Sequence, residues 1–108
     1  MAEVSKLVDF CGSSEKDIAS FPPVIRDRVV YQLDLVKHGD DPSNFKPVKT
    51  VGPGVYEIKI RAKQGAFRVF YVANRAGVIS VLHAFQKTTR KTEKRDIDLA
   101  KTRLKSQG

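Results

Sequence analysis

The chain has 108 residues, of which 41% are hydrophobic and 30% are charged, and its formal net charge is +8. This length and balance predict one soluble globular domain spanning residues 1–108 and exclude a largely disordered chain. No apolar run approaches the ~20 residues of a membrane-spanning helix, and the N-terminus lacks a signal-peptide pattern, so we expect a cytoplasmic protein. The single cysteine, Cys11, excludes an internal disulfide and any zinc site built on paired cysteines, and we expect it in the core.

The N-terminal half predicts a strand, two helices and a loop. The strand runs from Leu7 to Phe10, and a short helix follows the Gly-Ser-Ser sequence at 12–14. The longer helix begins at the proline pair 22–23 and ends near Gly39, with an apolar stripe along one side. This stripe consists of Ile25, Val29, Leu33 and Val36. Residues 40–54, rich in Pro, Gly, Asp and Asn, predict a loop.

The C-terminal half predicts three strands joined by tight turns, followed by a helix. The strands cover 55–61, 66–72 and 78–87, and the helix begins at about Thr92. The order β, α, α, β, β, β, α predicts an α+β fold. We expect an antiparallel three-strand meander with the N-terminal strand added at its edge, two N-terminal helices on one face, and a C-terminal helix.

The positive charge is concentrated in the second half of the chain. Residues 1–54 contain seven Lys or Arg and eight Asp or Glu, whereas residues 55–108 contain thirteen and four. A field of this kind attracts polyanions, and for a cytoplasmic protein this indicates nucleic acid first. The alternative is a solvated basic surface that serves only solubility.

Strand alternation groups several basic residues on one face of the predicted sheet. If the long helix packs on Tyr56, Ile58 and Ile60, then Lys59 and Arg61 lie on the other, open face. The adjacent strand carries Arg68, and the last strand places its own group on one face. This group consists of His83, Phe85 and Lys87. Arginine and lysine bind phosphate oxygens, and aromatic rings such as Phe85 and Tyr71 can stack on unpaired bases.

Such a face has the parts needed to cleave RNA without a metal. The ribose 2′-OH attacks its own phosphate, fixed cations stabilise the developing charge, and a lysine with a lowered pKa or a histidine moves the proton. Each residue also has a structural alternative. Lys59 and Arg61 suit a solvated strand face, Arg68 suits an ion pair with Glu57, and His83 suits a hydrogen-bonded core position. The two histidines lie far apart without a ligand pattern, so no metal site and no cofactor are predicted.

The sequence resembles the RelE/HigB superfamily of bacterial toxins, and within it the phage-derived Gp49-like branch. The most specific segments are "VYEIKIR", "FRVFYV" and "LHAFQKTTRKT", in that order and spacing, and residues 6–42 fit the same branch. The resemblance implies a RelE-like fold and a toxin of a type II toxin–antitoxin system. Many such toxins are metal-independent mRNA endoribonucleases that act on the ribosome.

The resemblance also implies which residues act. The candidate catalytic residues are Lys59, Arg61, Arg68, Lys87 and His83. The candidate RNA-binding residues are Lys63, Tyr71, Phe85, Arg90, Lys91, Lys94 and Arg95. Some RelE relatives place a catalytic tyrosine in the C-terminal segment, but residues 86–108 contain none. If the protein cuts RNA, another group must transfer the proton, and we expect Lys87, Lys91 or His83.

The partners expected from the resemblance are mRNA, the ribosome and a cognate antitoxin, a DNA-binding protein of helix-turn-helix type. The missing tyrosine keeps two other functions open. One is a ParE-like toxin that inhibits DNA gyrase and cuts no RNA. The other is a plain RNA-binding module.

Overall fold

The computed structural model describes residues 7–73, 77–87 and 94–106, which form three helices and five strands. The helices are α1 (Ser14–Ala19), α2 (Pro23–Lys37) and α3 (Lys94–Ser106). The strands are β1 (Leu7–Phe10), β2 (Phe45–Pro47), β3 (Val55–Ala62), β4 (Gly65–Ala73) and β5 (Val78–Lys87). All five strands belong to one sheet with the order β1-β5-β4-β3-β2.

The sheet contains the predicted meander. Strands β3, β4 and β5 pair antiparallel in sequence order, and β1 pairs with the outer side of β5 in parallel. Gly65 begins β4 with a φ of 126°, where a β-carbon would lie only 2.8 Å from the Lys87 carbonyl oxygen. The α+β architecture, with the N-terminal strand at the edge and a C-terminal helix, is confirmed.

The expectation that residues 40–54 form only a loop is wrong for β2. This strand pairs antiparallel with β3, so that Phe45 lies opposite Ile58 and Lys46 lies opposite Glu57. Three residues that end in a proline carry almost no alternation signal, and proline is tolerated there because the strand is at an edge. The pairing is therefore visible only once β3 is in place, and it brings an additional lysine next to the sheet.

Helices α1 and α2 cover one side of the sheet, which we call the first face. The apolar stripe of α2, including Ile25 and Val29, belongs to one buried cluster with Ile58 and Ile60 of β3. The same cluster includes Val69 of β4 and residues of β5. The predicted contact between the long helix and β3 is thus confirmed, and the alternate residues of β3 lie on the opposite side, the second face.

Helix α3 packs on one end of the second face. Ala100 is fully buried in a second cluster that includes Val55 of β3, Phe70 of β4 and Leu82 of β5. Arg103 fixes the helix, because its Nη1 donates to the Leu82 carbonyl oxygen at 2.9 Å and its Nη2 donates to the Ser13 hydroxyl at 3.2 Å. The opposite end of the second face carries the charged residues described below.

A β-bulge in β5 decides which side chains reach the second face. Phe70 lies opposite His83, but the next residue, Tyr71, lies opposite Val81, so Leu82 is an extra residue in β5. Val81 and Ile79 point to the first face, and strict alternation would have sent His83 to the same side. The bulge reverses the alternation. The group of His83, Phe85 and Lys87 consequently lies on the second face, as predicted.

No helix in the described part of the chain is both long and apolar enough to cross a membrane. Within the described ranges, no cluster of three or more His, Cys, Asp or Glu side chains is arranged to hold a metal ion. Cys11 is buried beside α3, as expected for a small core residue.

Candidate functional site

Charged side chains gather where strands β2 to β5 lie side by side at one end of the second face. We call this group the cationic face. It consists of Lys46, Glu57, Lys59, Arg61, Arg68 and Lys87. Lys59 lies directly opposite Arg68, so their β-carbons are about 5 Å apart. Arg61 and Lys87 flank the small residue Ala66 from either side, which leaves room for both long side chains.

A buried ion pair holds the centre of the cationic face. Arg68 and Glu57 are only 5% and 2% exposed, and Arg68 Nη1 donates to both carboxylate oxygens of Glu57, at 2.8 Å to Oε2. Arg68 Nε is buried and has no hydrogen-bond partner among the described residues. The structural alternative proposed for Arg68 is therefore realised, and the guanidinium is held in one position within the sheet.

Two of the three lysines of this face, Lys59 and Lys87, are easier to deprotonate than ordinary lysines. Burial lowers the pKa of Lys87, and the neighbouring charge of Arg68 lowers it further. Burial also lowers the pKa of Lys59, with additional repulsion from Arg61 and Arg68. The carboxylate of Glu57 partly opposes both shifts. A lysine with a lowered pKa can act as a proton acceptor while its neighbours keep their positive charge.

Two residues of this face were not among the candidate site residues. Lys46 of β2 lines a groove of about 130 Å³ together with Asn44, Lys59 and Arg61. The only sequence signal for Lys46 is one lysine between Phe45 and Pro47, which is too short to predict a strand. Glu57 was considered only as an ion-pair partner of Arg68, and its burial under Arg68 depends on the pairing of β3 with β4.

His83 is separated from the cationic face. It lies opposite Phe70, and Phe70 in turn lies opposite Glu57, so a buried aromatic ring stands between the histidine and the ion pair. The His83 ring stacks on Phe85 with centroids 4.8 Å apart, and its Nε2 lies 2.7 Å from Oδ1 of Asp96 in α3. This arrangement matches the hydrogen-bonded core alternative for His83.

The candidate RNA-binding residues fall in different places. Phe85 lies on the second face directly opposite Arg68 and is half-buried. Tyr71 instead belongs to the core on the first face, where burial raises its pKa to about 12. The structure does not bring Tyr71 to the cationic face, because its position in β4 is one residue out of phase with Phe70.

Of the remaining candidates, the structure describes three, and all three are exposed. Lys63 is exposed in the turn between β3 and β4. Lys94 and Arg95 are exposed in the first turn of α3. Arg90 and Lys91, together with the rest of 88–93, lie outside the described residues.

The model of the family described as phage derived protein Gp49-like matches residues 16–105. The chain belongs to this family. No curated protein matches the sequence significantly.

Three of the similar solved structures are of a toxin or of toxin–antitoxin complexes. A free-state structure of a mutant E. coli toxin RelE has a TM-score of 0.63 at 15% identity, and the match covers 94% of this chain and 97% of that chain. The intact E. coli RelBE complex contains a chain with a TM-score of 0.62 at 18% identity, covering 79% and 100%. A chain of the RelBE2 complex of Mycobacterium tuberculosis has a TM-score of 0.54 at 22% identity, and the match covers 78% of this chain and 100% of that chain. The RelE-like fold and the Gp49-like family inferred from the sequence are confirmed.

The Arg68–Glu57 pair predicts strong energetic coupling within this Gp49-like protein. We expect Glu57→Leu alone and Arg68→Met alone each to lower the free energy of unfolding by about 3–5 kcal/mol, because each leaves a buried charge without its partner. The double variant should lose much less unfolding free energy than the sum of the losses of the two single variants. Urea unfolding of the four proteins measures this coupling.

The exposed pair Lys94–Asp98, separated by 3.6 Å, is the matched control. The corresponding double-mutant cycle for this pair should give a coupling energy of only about 0.5 kcal/mol, since water screens both charges. If the losses of unfolding free energy from the Glu57 and Arg68 substitutions simply add, the predicted coupling of the buried pair is contradicted.

Proposed function

We propose that this protein is the toxin of a type II toxin–antitoxin system and that it cleaves mRNA on the ribosome without a metal ion. The observation that carries the proposal is the cationic face, where two lysines with lowered pKa flank a buried, fixed arginine. The RelE-like fold supports it, since the similar solved structures are described as toxins or toxin–antitoxin complexes.

The cationic face supplies the groups that RNA cleavage needs. Arg61, which is exposed, binds the non-bridging oxygens of the scissile phosphate and stabilises the charge that develops as the 2′-oxygen attacks. Arg68, buried against Glu57, acts through its charge, which lowers the pKa of the neighbouring lysines. Lys87 in its neutral form accepts the 2′-OH proton, and protonated Lys59 donates to the departing 5′-oxygen. The new 2′-O–P bond replaces the P–O5′ bond, which leaves a 2′,3′-cyclic phosphate and a free 5′-OH. No tyrosine is required in this scheme.

Purified wild-type protein is expected to cut message on translating ribosomes, and primer extension measures the cut ends. Lys59→Gln and Lys87→Gln should each reduce the cleavage rate by about 10²-fold or more, because each removes a group that acts on the transition state. Lys16→Gln, an exposed change of α1 with the same loss of charge, should leave the rate unchanged.

Three measurements separate the nuclease from the two other functions: message cleavage, the DNA-damage response and RNA binding. Intact message on toxin-bound ribosomes would overturn the nuclease assignment. A DNA-damage response with intact message would favour a ParE-like inhibitor of gyrase. Salt-sensitive RNA binding without any products would favour a plain RNA-binding module.

The pH dependence of cleavage identifies the base. If neutral Lys87 accepts the proton, its neutral fraction grows as the pH rises from neutral toward its lowered pKa, so the single-turnover rate should rise with pH in the alkaline range. A rate that stays level as the pH rises would contradict Lys87 as the base. Lys87→Arg keeps the charge but cannot lose its proton, and it should remove the rise.

A cognate antitoxin is part of the proposal. We expect an acidic or apolar segment of this partner, a DNA-binding protein of helix-turn-helix type, to cover the cationic face. Co-expression of the reading frame adjacent to the toxin gene should relieve growth arrest, and the two proteins should co-purify. Growth arrest that persists in the presence of every adjacent reading frame would argue against a type II pair.

A further inference from the structure

A larger groove, with a volume of about 670 Å³, runs between α3 and the turn that follows β2. Its charged lining consists of Lys46, Lys49, Lys94, Lys101, Asp98 and Glu57. Both carboxylates have basic partners, Asp98 with Lys94 at 3.6 Å and Glu57 with Arg68. The lysines that line the groove are exposed, so the groove presents a net positive charge to solvent.

Both walls of the groove are anchored to the body of the protein. The wall after β2 is a turn closed by the hydrogen bond from the Val51 amide to the Val48 carbonyl at 3.1 Å. The other wall is α3, where Ile97 lines the groove. Ile97 and Leu104 of this helix pack into the same apolar cluster as Val51. The walls touch beyond the groove, where a β-carbon on Gly52 would lie 2.5 Å from Leu104 Cδ2. The spacing of the walls is therefore fixed by packing.

The groove continues the cationic face. Lys46 and Glu57 line this groove and also the smaller one that contains Lys59 and Arg61. A nucleic-acid strand with a phosphate on the cationic face can thus extend past Lys46 into the groove without crossing a region of negative charge.

The lining of the groove suits nucleotides. Val48, Pro47 and Ile97 give it apolar surface on which a base can pack, and the lysines stand within reach of phosphates. Its volume lies in the range of roughly 300–1,000 Å³ that is common for ligand sites. Lysine acts as a point charge and not as a planar fork, so the contacts favour the backbone over base identity.

We propose that this groove binds single-stranded message on one side of the cleaved bond, with phosphates at Lys49 and Lys101 and a base on the apolar surface. This inference rests on the proposed function, because it takes the strand on the cationic face to be RNA. It assigns RNA binding to residues outside the catalytic group. This binding should depend little on the base sequence of the RNA.

The test uses the full chain and a single-stranded RNA decamer with methylated 2′-hydroxyls, which cannot undergo the cleavage reaction. Lys49→Gln/Lys101→Gln should weaken binding about 10-fold at low salt and reduce the log–log salt slope by about 1.4, as expected for two lost phosphate contacts. Lys16→Gln/Lys105→Gln removes the same charge at exposed positions outside the groove and should change the affinity by less than about 2-fold. Fluorescence anisotropy measures both.

The outcomes separate this inference from the proposed function. Equal affinities of the groove variant and the control variant for the decamer would overturn the proposal that the groove binds RNA. If wild-type protein cuts no message but the groove variant alone loses decamer affinity, the nuclease assignment fails and the groove stands as an RNA site. If the groove variant binds the decamer like the control but loses affinity for ribosomes, the groove contacts ribosomal RNA, and its assignment to the message is overturned.

Discussion

A buried ion pair between Arg68 and Glu57 lies at the centre of the second face, and the charged end of the sheet depends on it. Both side chains are almost inaccessible, so water cannot screen either charge. Taking an ion out of water costs several kcal/mol, and only close contact with an opposite charge compensates for this cost. Glu57 therefore makes it possible to hold a guanidinium within the sheet, in a position that strand pairing fixes.

One carboxylate does not neutralise the rest of the cationic face. Glu57 stands among five basic residues, and burial, together with the remaining repulsion, lowers the pKa of Lys59 and Lys87. The same repulsion that keeps a larger fraction of a lysine neutral, and so able to accept a proton, also opposes folding. In the proposed function this is a common exchange of stability for activity. In the proposed function, an acidic partner segment would inhibit the protein and stabilise it by binding only the folded state.

Local periodicity was enough to predict most of the architecture. The alternation in β3 placed Lys59 and Arg61 on the face opposite the long helix, since successive side chains of a strand point to opposite sides. The helical spacing of the α2 stripe identified the side that would be covered, as the cluster containing Ile58 shows. The sequence also offered the ion pair between Arg68 and Glu57 as one of two alternatives, but it could not choose between them, because burial depends on neighbouring strands.

By itself, therefore, the sequence determined the order of the main elements, the concentration of positive charge and the face of the β3 cations. The tertiary structure decided the rest of the site. Lys46 joins it only because β2 pairs with the edge of β3. Lys87 and His83 reach the second face only because Leu82 is an extra residue in β5, whereas Tyr71 turns into the core. Alternation is a property of one strand, but an edge pairing and a β-bulge exist only between strands, so no local pattern encodes them.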